Sequence, residues 1–211
     1  MEQPSNPEKR LASQLFWGLF VLLAFMLFLN AWVVDDAYIT FRTIDNVLHG
    51  HGLRWNIDER VQAYTHPLWM LLMAGVAAVT GEFFYSSIAL SLVCSLCAVF
   101  LAARLVARSA PWKAPVLIVT VLSSKAVLDY ASSGLETPLS YVLVAAFSVG
   151  LFSERTDRQL LCAGLCASLS FITRPDSVIL FAPAILFLLW RTRAVGALAL
   201  VSLPAVAWVA F

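Results

Sequence analysis

The chain has 211 residues, of which 61% are hydrophobic and 13% are charged, and its formal net charge is +1. Its mean hydropathy of +0.83 leaves too little polar surface for a water-soluble domain of this length. We therefore predict an all-α protein, a multi-pass bundle of transmembrane helices. The sequence has no basic tract and no interleaving of aromatic with basic residues, so we do not expect nucleic acid as a partner.

The first apolar run, residues 15–34, has the length that a helix needs to cross a hydrocarbon core of roughly 30 Å. Lys9 and Arg10 precede it, as basic residues precede the apolar core of a secretory signal peptide. The run is too long for such a peptide and has no small-residue cleavage site. We predict a first span that is retained.

Asp35 and Asp36 stand side by side where this run ends, at the start of a long polar interval. Two adjacent carboxylates at a membrane boundary repel each other and lose hydration, so their presence there indicates acid-base, cation or substrate chemistry. The alternative is an N-cap for the next helix, which would need only one of the two.

The polar interval, residues 35–85, is predicted to be an outer loop that contains interfacial helices. Tyr38, Phe41, Ile44 and Leu48 recur at helical spacing, which is typical of an amphipathic helix on the membrane surface. A second, wholly apolar helix is predicted over residues 67–80.

Further apolar segments, the predicted later spans, follow at residues 86–107, 114–130, 138–152, 160–173, 177–190 and from 194 onward. If residues 67–80 also crossed the membrane, the later basic loops would lie outside, against the bias of Lys and Arg towards the inner side. We therefore predict that residues 67–80 lie in the outer interface or enter the membrane and return. The inner side then collects Lys9, Arg10, Arg104, Arg108, Lys113, Arg155, Arg158, Arg191 and Arg193.

This topology brings polar motifs from three parts of the chain to one outer face, and each motif also has a structural explanation. Glu136 precedes Thr137 and Pro138, where a carboxylate favours the dipole of the helix that starts there. Arg174 could pair with Asp176 or with lipid phosphate. His66 could be a hydrogen-bonded structural residue.

The cysteines form two pairs, Cys94 with Cys97 and Cys162 with Cys166, at spacings that metal ligands also use. Each pair lies in an apolar helix with no histidine or carboxylate beside it. We interpret them as small buried residues.

Five motifs then follow one another in order: residues 35–42 (DDAYITFR), 50–56 (GHGLRWN), 64–69 (YTHPLW), 133–139 (SGLETPL) and 173–176 (TRPD). Together they resemble the N-terminal half of GT-C glycosyltransferases, and most closely the terminal arabinofuranosyltransferase group of mycobacterial cell walls. The chain departs from the group's usual pattern at Gln62 and Ala63, where an acidic residue and a glycine are usual, and at Asp176 and Ser177, where Glu-Gly is more common.

The resemblance implies an enzyme of the cell membrane that moves a pentose or hexose, with inversion, from a polyprenyl-phosphate carrier to a glycan, lipid or protein acceptor on the outer, periplasmic face. It implies that an acidic residue of the first outer loop is the catalytic base. We assign the base to Asp35 and its orientation to Asp36. Substrate binding is assigned to Arg42, Tyr64, His66, Glu136, Arg174 and Asp176.

The resemblance leaves the cofactor open, because some relatives use a metal and others do not. A divalent cation would be held by Asp35, Asp36 and Glu136, since hard oxygen ligands suit magnesium, manganese or calcium. The opposing hypothesis is an ion-coupled transporter that uses the same acidic residues as a relay. Residues 1–211 end within an apolar run, so we expect them to be the N-terminal part of a longer membrane domain, and whether they are active alone is left open.

Overall fold

The computed structural model describes residues 7–59, 61, 65–193 and 195–210. Within these residues every regular element is helical, which confirms the predicted all-α class. The helices are α1 (Pro7–Leu29), α2 (Ala37–Leu48), α3 (Pro67–Thr80), α4 (Phe84–Ala107), α5 (Lys113–Leu122), α6 (Lys125–Tyr130), α7 (Thr137–Leu151), α8 (Thr156–Thr173), α9 (Val178–Thr192) and α10 (Val195–Ala210), with a 3-10 turn at Pro175–Ser177 before α9.

Three of the described helical stretches are long and apolar enough to cross a membrane by themselves: Pro7–Leu29, Phe84–Ala107 and Pro175–Thr192. The other apolar helices are shorter, between 10 and 17 residues. The helix bundle is therefore that of an apolar membrane protein.

The first helix begins earlier than the predicted span and ends at Leu29 instead of continuing to residue 34. Asn30 turns its side-chain amide back onto the Met26 carbonyl, at 2.8 Å. Beyond it, the Trp32 amide donates to Ser132 Oγ at 3.2 Å and the Val34 amide donates to the Ser133 carbonyl at 3.0 Å. Hydrogen bonds to a distant loop thus replace helical ones in this stretch.

Residues 114–130 were predicted as one helix, and this prediction was wrong in its continuity. The helix breaks at Ser123 and Ser124, where the Ser124 hydroxyl caps α6 by accepting from the Val127 amide at 3.4 Å. Serine side chains accept hydrogen bonds from backbone amides in this way and so end or start helices. A prediction from the number of apolar residues does not include this effect. The α5–α6 pair still follows α1 along the bundle, since Ala114 and Ala12 line one cavity while the Asp129 carbonyl accepts from Trp32 Nε1 at 2.7 Å.

Helix α3 has the bounds that the sequence predicts, and one side of it packs against α2 while Leu71, Leu72 and Val79 on the other side are exposed. A buried cluster joins Trp69 and Met70 of α3 to Phe41 and Ile44 of α2 and to Leu139 of α7. The amphipathic side of α2 thus faces α3 through Phe41 and Ile44. Tyr38 and Leu48, which were predicted on the same side, are exposed.

Two more clusters of described buried residues join α1 to α4 and α5, and α7 to α8 and α9. One joins Phe16 of α1, Ala103 of α4 and Ile118 of α5. The other joins Phe147 of α7 to Phe181 of α9, whose ring centroids are 4.6 Å apart. The candidate site lies above the cluster of α2, α3 and α7, where the chain enters each of those helices.

Candidate active site

The loop before α7 binds directly to the segment that carries the two aspartates. Gly134 has a φ of 78°, and a Cβ built there would lie 3.0 Å from Val33 Cγ1 and 3.1 Å from Ala37 Cβ. Its carbonyl accepts a hydrogen bond from Trp69 Nε1 at 2.9 Å. Only glycine fits this close approach in a left-handed conformation. The beginnings of α2, α3 and α7 are therefore held together around one residue.

Glu136 and His66 meet at this point, although they are 70 positions apart in the sequence. His66 Nδ1 lies 3.4 Å from Glu136 Oε2, and the two side chains are only 11% and 14% exposed. On the other side of the ring, Nε2 lies 2.8 Å from Thr40 Oγ1 of α2. One neutral tautomer satisfies both contacts, with Nδ1–H facing the carboxylate and Nε2 accepting from the hydroxyl.

The surroundings of His66 favour its neutral form. Burial of the ring is the main cause that lowers the pKa of His66 below its usual value of 6.5. The Glu136 carboxylate acts in the opposite direction, and the Arg174 guanidinium adds to the lowering. Desolvation outweighs the attraction of one carboxylate because the ion has lost most of its water. The sequence assigned His66 to substrate binding, with a hydrogen-bonded structural histidine as the alternative, and its buried contacts agree with that alternative for its local role.

Arg174 extends the cluster from the end of α8. Its Nε lies 3.9 Å from Glu136 Oε1, while Nε and Nη2 donate to the Asp176 carboxylate at 3.3 Å and 3.1 Å. The pairing with Asp176, which the sequence offered as an alternative, is thus present. The Arg174 side chain is also 48% exposed, so it remains accessible to a ligand.

Asp35 and Asp36 lie at the start of α2, both exposed. Asp36 occupies the N-cap position of α2, yet its side chain makes no capping hydrogen bond. The Asp35 carboxylate accepts from the Asp36 amide at 3.0 Å, which fixes one of its oxygens and leaves the other open. Capping by the side chain of Asp36 therefore does not explain why two carboxylates stand here.

The aspartates adjoin the buried cluster through two routes in the described chain. Val34, which precedes Asp35, is bonded to Ser133 and so to the loop that carries Glu136. Asp36 lies one helical turn before Thr40, which contacts His66. The exposed carboxylate pair and the cluster of Glu136, His66 and Arg174 thus share one end of the bundle.

Arg42 has a different environment from the one that its predicted role suggests. Its Nε donates to the Trp55 carbonyl at 3.0 Å, its Nη2 donates to Asn56 Oδ1 at 3.1 Å, and its guanidinium lies 4.6 Å from the centre of the Trp55 ring. These contacts attach the polar loop to α2. Tyr64, the other predicted substrate-binding residue of this loop, lies outside the described residues.

No group of three histidine, cysteine or carboxylate side chains converges to hold a metal ion in the part of the chain that the structure describes. Asp35, Asp36 and Glu136 therefore do not fit the divalent cation that the sequence considered. Glu136 is turned towards His66 and Arg174 instead.

Thr40 is the residue of this site that the sequence did not single out. It is 1% exposed and contacts a histidine 26 positions away. In the sequence, Thr40 could have been noticed because it lies four positions after Asp36, on the same side of the predicted helix α2. Without the fold, that side could not be told from an ordinary polar face.

Comparison with known proteins gives two relatives that share one name. The chain is 28% identical over 191 residues to a terminal β-(1→2)-arabinofuranosyltransferase of Mycobacterium tuberculosis, covering 80% of this chain and 30% of that protein. It is 33% identical over 120 residues to the protein of that name from Corynebacterium glutamicum, covering 54% of this chain and 17% of the relative. No family model and no solved structure matches the chain. Within the length that it spans, these similarities relate the chain to the terminal arabinofuranosyltransferase group.

Proposed function

We propose that the protein is a membrane glycosyltransferase of the GT-C type, which moves a sugar from a polyprenyl-phosphate carrier to an acceptor hydroxyl of a cell-envelope glycan, lipid or protein. One observation carries the proposal: Glu136, His66 and Arg174, from distant parts of the chain, meet beside the exposed pair Asp35 and Asp36. Both relatives are named as arabinofuranosyltransferases, which favours an arabinofuranosyl unit as the sugar.

The reaction requires a base, and Asp35 is our candidate. A hydroxyl is a weak nucleophile until a carboxylate within hydrogen-bond reach accepts its proton. The fixed oxygen of Asp35 sets the direction of the carboxylate, and the open oxygen is free to take the proton. Asp36 orients this base, since its amide donates to the fixed oxygen of Asp35. The oxygen of the acceptor then forms its bond to the anomeric carbon as that carbon's bond to phosphate breaks, and a single displacement of this kind inverts the configuration.

The departing polyprenyl phosphate leaves with the bonding electron pair as a stable anion, so it needs cations and no general acid. Arg174 is the candidate, because guanidinium binds phosphate oxygens through two parallel hydrogen bonds. Its pairing with Asp176 keeps the guanidinium oriented while nearly half of the side chain stays exposed. Arg42 contributes by holding the loop at Trp55 and Asn56, so its role in phosphate binding is secondary.

Glu136 is proposed to position the substrate together with His66. Its carboxylate lies within ion-pair distance of both His66 and Arg174, so it keeps the phosphate-binding cation directed towards the aspartates. We place this end of the bundle at the outer face of the cell membrane, in agreement with the basic residues that gather at the opposite end.

The test is a transfer assay with the full-length protein in native membranes, supplied with radiolabelled polyprenyl-phosphate pentoses and hexoses and with cell-envelope acceptors. We expect label to pass to an acceptor from one donor class. Glu136→Gln keeps the shape of the side chain but removes its charge, and should reduce transfer about a hundredfold, within the range for a positioned catalytic-site group. The matched control is Glu82→Gln, which alters a carboxylate at the start of α4. No transfer from any donor, or equal activity in both variants, would overturn the proposal.

A further inference from the structure

An apolar cavity of about 390 Å³ lies at the end of the bundle opposite to the candidate active site. It is open on one side and is lined by the first turns of α1, the last turns of α4 and the beginning of α5. Helix α1 rises by roughly 1.5 Å per residue, so the cavity lies about 30 Å from Asp35, a distance similar to the thickness of a hydrocarbon core. The volume falls in the range of roughly 300–1,000 Å³ that is usual for ligand sites.

Small side chains create the space. Ala12 of α1, Ala103 and Ala107 of α4, and Ala114 of α5 line the cavity, and none of them is long enough to fill the gap between the helices. These alanines lie on helix faces that also form the packed cluster deeper in the bundle. The cavity is therefore a fixed consequence of helix packing at this end.

Aromatic rings form its apolar wall. Phe100 lies 6.4 Å from Phe16 and 6.3 Å from Trp17, measured between ring centroids. Trp17 is 53% exposed, so this wall opens towards the surface of the bundle. Such a surface accepts a hydrocarbon chain, and tryptophan at this position is typical of the membrane interface.

Two cations stand at the same cavity. Lys9 and Arg104 line it, and within the described residues neither has a carboxylate within ion-pair distance. The Arg104 guanidinium lies 5.9 Å from the centre of the Phe100 ring, so it bridges the apolar wall and the solvent. An apolar space beside two cations is complementary to an amphiphile with an anionic head group.

We propose that this cavity binds an anionic phospholipid, with part of an acyl chain between α1 and α4 and the head-group phosphate held by Lys9 and Arg104. The lipid would fill the space that the alanines leave and join α1 to α4 and α5. This inference does not depend on the reaction at the other end of the bundle.

The first experiment measures lipid retention by the full-length protein, purified in detergent and supplied with phosphatidylglycerol or with phosphatidylcholine of the same acyl chains, by native mass spectrometry. We expect phosphatidylglycerol to bind at least tenfold more tightly, since each cation near an anionic head group contributes a factor of roughly five. Lys9→Gln combined with Arg104→Gln should remove this preference. Arg10→Gln combined with Arg108→Gln is the matched control, because it removes the same charge at the same end from residues that do not line the cavity.

The second experiment first locates the lipid in the wild-type protein, a step that needs no variant to fold. Phosphatidylglycerol with a photoactivatable group in its acyl chain should label the segments around Phe16 and Phe100. Ser13→Phe, which places a ring in the cavity from an exposed position, should reduce both labelling and retention. Equal binding of the two lipids, an equal loss in the control variant, or labelling confined to other segments would each overturn the proposal.

Discussion

His66 Nε2 lies 2.8 Å from the hydroxyl of Thr40, so the residue just before α3 is bonded to the buried side of α2. Both residues are buried. A histidine held in this way transmits the position of α2, and with it of Asp36, to Glu136 on the other side of its ring.

The first prediction concerns pH. Because burial lowers the pKa of His66 below 6.5, the unfolded chain takes up this proton before the folded one does. The free energy of unfolding should therefore fall as the pH drops below about 6.5 and stop falling once the folded histidine is protonated. His66→Gln should flatten this dependence in thermal unfolding measured between pH 5 and pH 8.

His49→Gln is the control for this experiment, since the side chain of His49 is 67% exposed and pairs only with Asp45 among the described residues. A pH dependence that persists in His66→Gln but disappears in His49→Gln would contradict the account.

The second prediction concerns Gly134. Gly134→Ala must accept both a positive φ and a Cβ within 3.1 Å of two side-chain atoms, so we expect a loss of roughly 2–4 kcal/mol in the free energy of unfolding. Gly50→Ala isolates the backbone contribution, because Gly50 has a φ of 81° with nothing within 4 Å of the added carbon. It should cost only about 1 kcal/mol. Equal losses in chemical denaturation would show that the contact with Val33 and Ala37 is unimportant.

The third prediction concerns the cation of the site. Arg174→Lys keeps the charge but loses the planar pair of donors, so we expect KM for the polyprenyl-phosphate donor to rise roughly tenfold or more with a smaller change in kcat. The control is Arg191→Lys, in the last turn of α9 and exposed. If donor KM is the same in both variants, Arg174 does not bind the donor.

The fourth prediction separates stability from activity. Both oxygens of Glu82 accept amides at the start of α4, from Tyr85 at 3.1 Å and Ser86 at 3.0 Å. Partial burial acts to raise the pKa of Glu82, but the amides of Ser86, Tyr85 and Phe84 together hold it below 4.5. The stabilising effect of the ionised Glu82 is therefore present above pH 4.5 and is lost as the pH falls through the lowered pKa of Glu82.

Glu82→Ala should accordingly reduce the free energy of unfolding by about 1 kcal/mol at neutral pH and leave sugar transfer unchanged. Glu154→Ala, which removes an exposed acid between α7 and α8, should change neither the free energy of unfolding nor sugar transfer. A loss of transfer in Glu82→Ala without a loss of stability would place the α4 terminus in the active site.

The sequence predicted the helical class and the bounds of α3, because long apolar runs and proline at a helix start are local signals. Charge bias also suggested that Glu136, His66 and Arg174 belong to one face, and the structure brings these three side chains together. Their roles in catalysis remain proposals.

Other features depended on contacts between distant residues, which a single sequence does not display. The end of α1 at Leu29 follows from bonds between residues 32–34 and the loop before α7. The contact of Thr40 with His66 and the attachment of Arg42 to Trp55 have the same origin. Each of these side chains could pair with several residues of suitable chemistry, and the tertiary packing selects one of them.

The most direct test of the central claim compares Asp35→Asn, Asp36→Asn and Asp45→Asn in the transfer assay, with expression and unfolding measured alongside. All three aspartates are exposed, and Asp45 lies on α2 away from the buried cluster. We predict a loss of about a hundredfold or more for Asp35→Asn, a smaller loss for Asp36→Asn, and no change for Asp45→Asn. Full transfer by a folded double variant, Asp35→Asn with Asp36→Asn, would contradict the account.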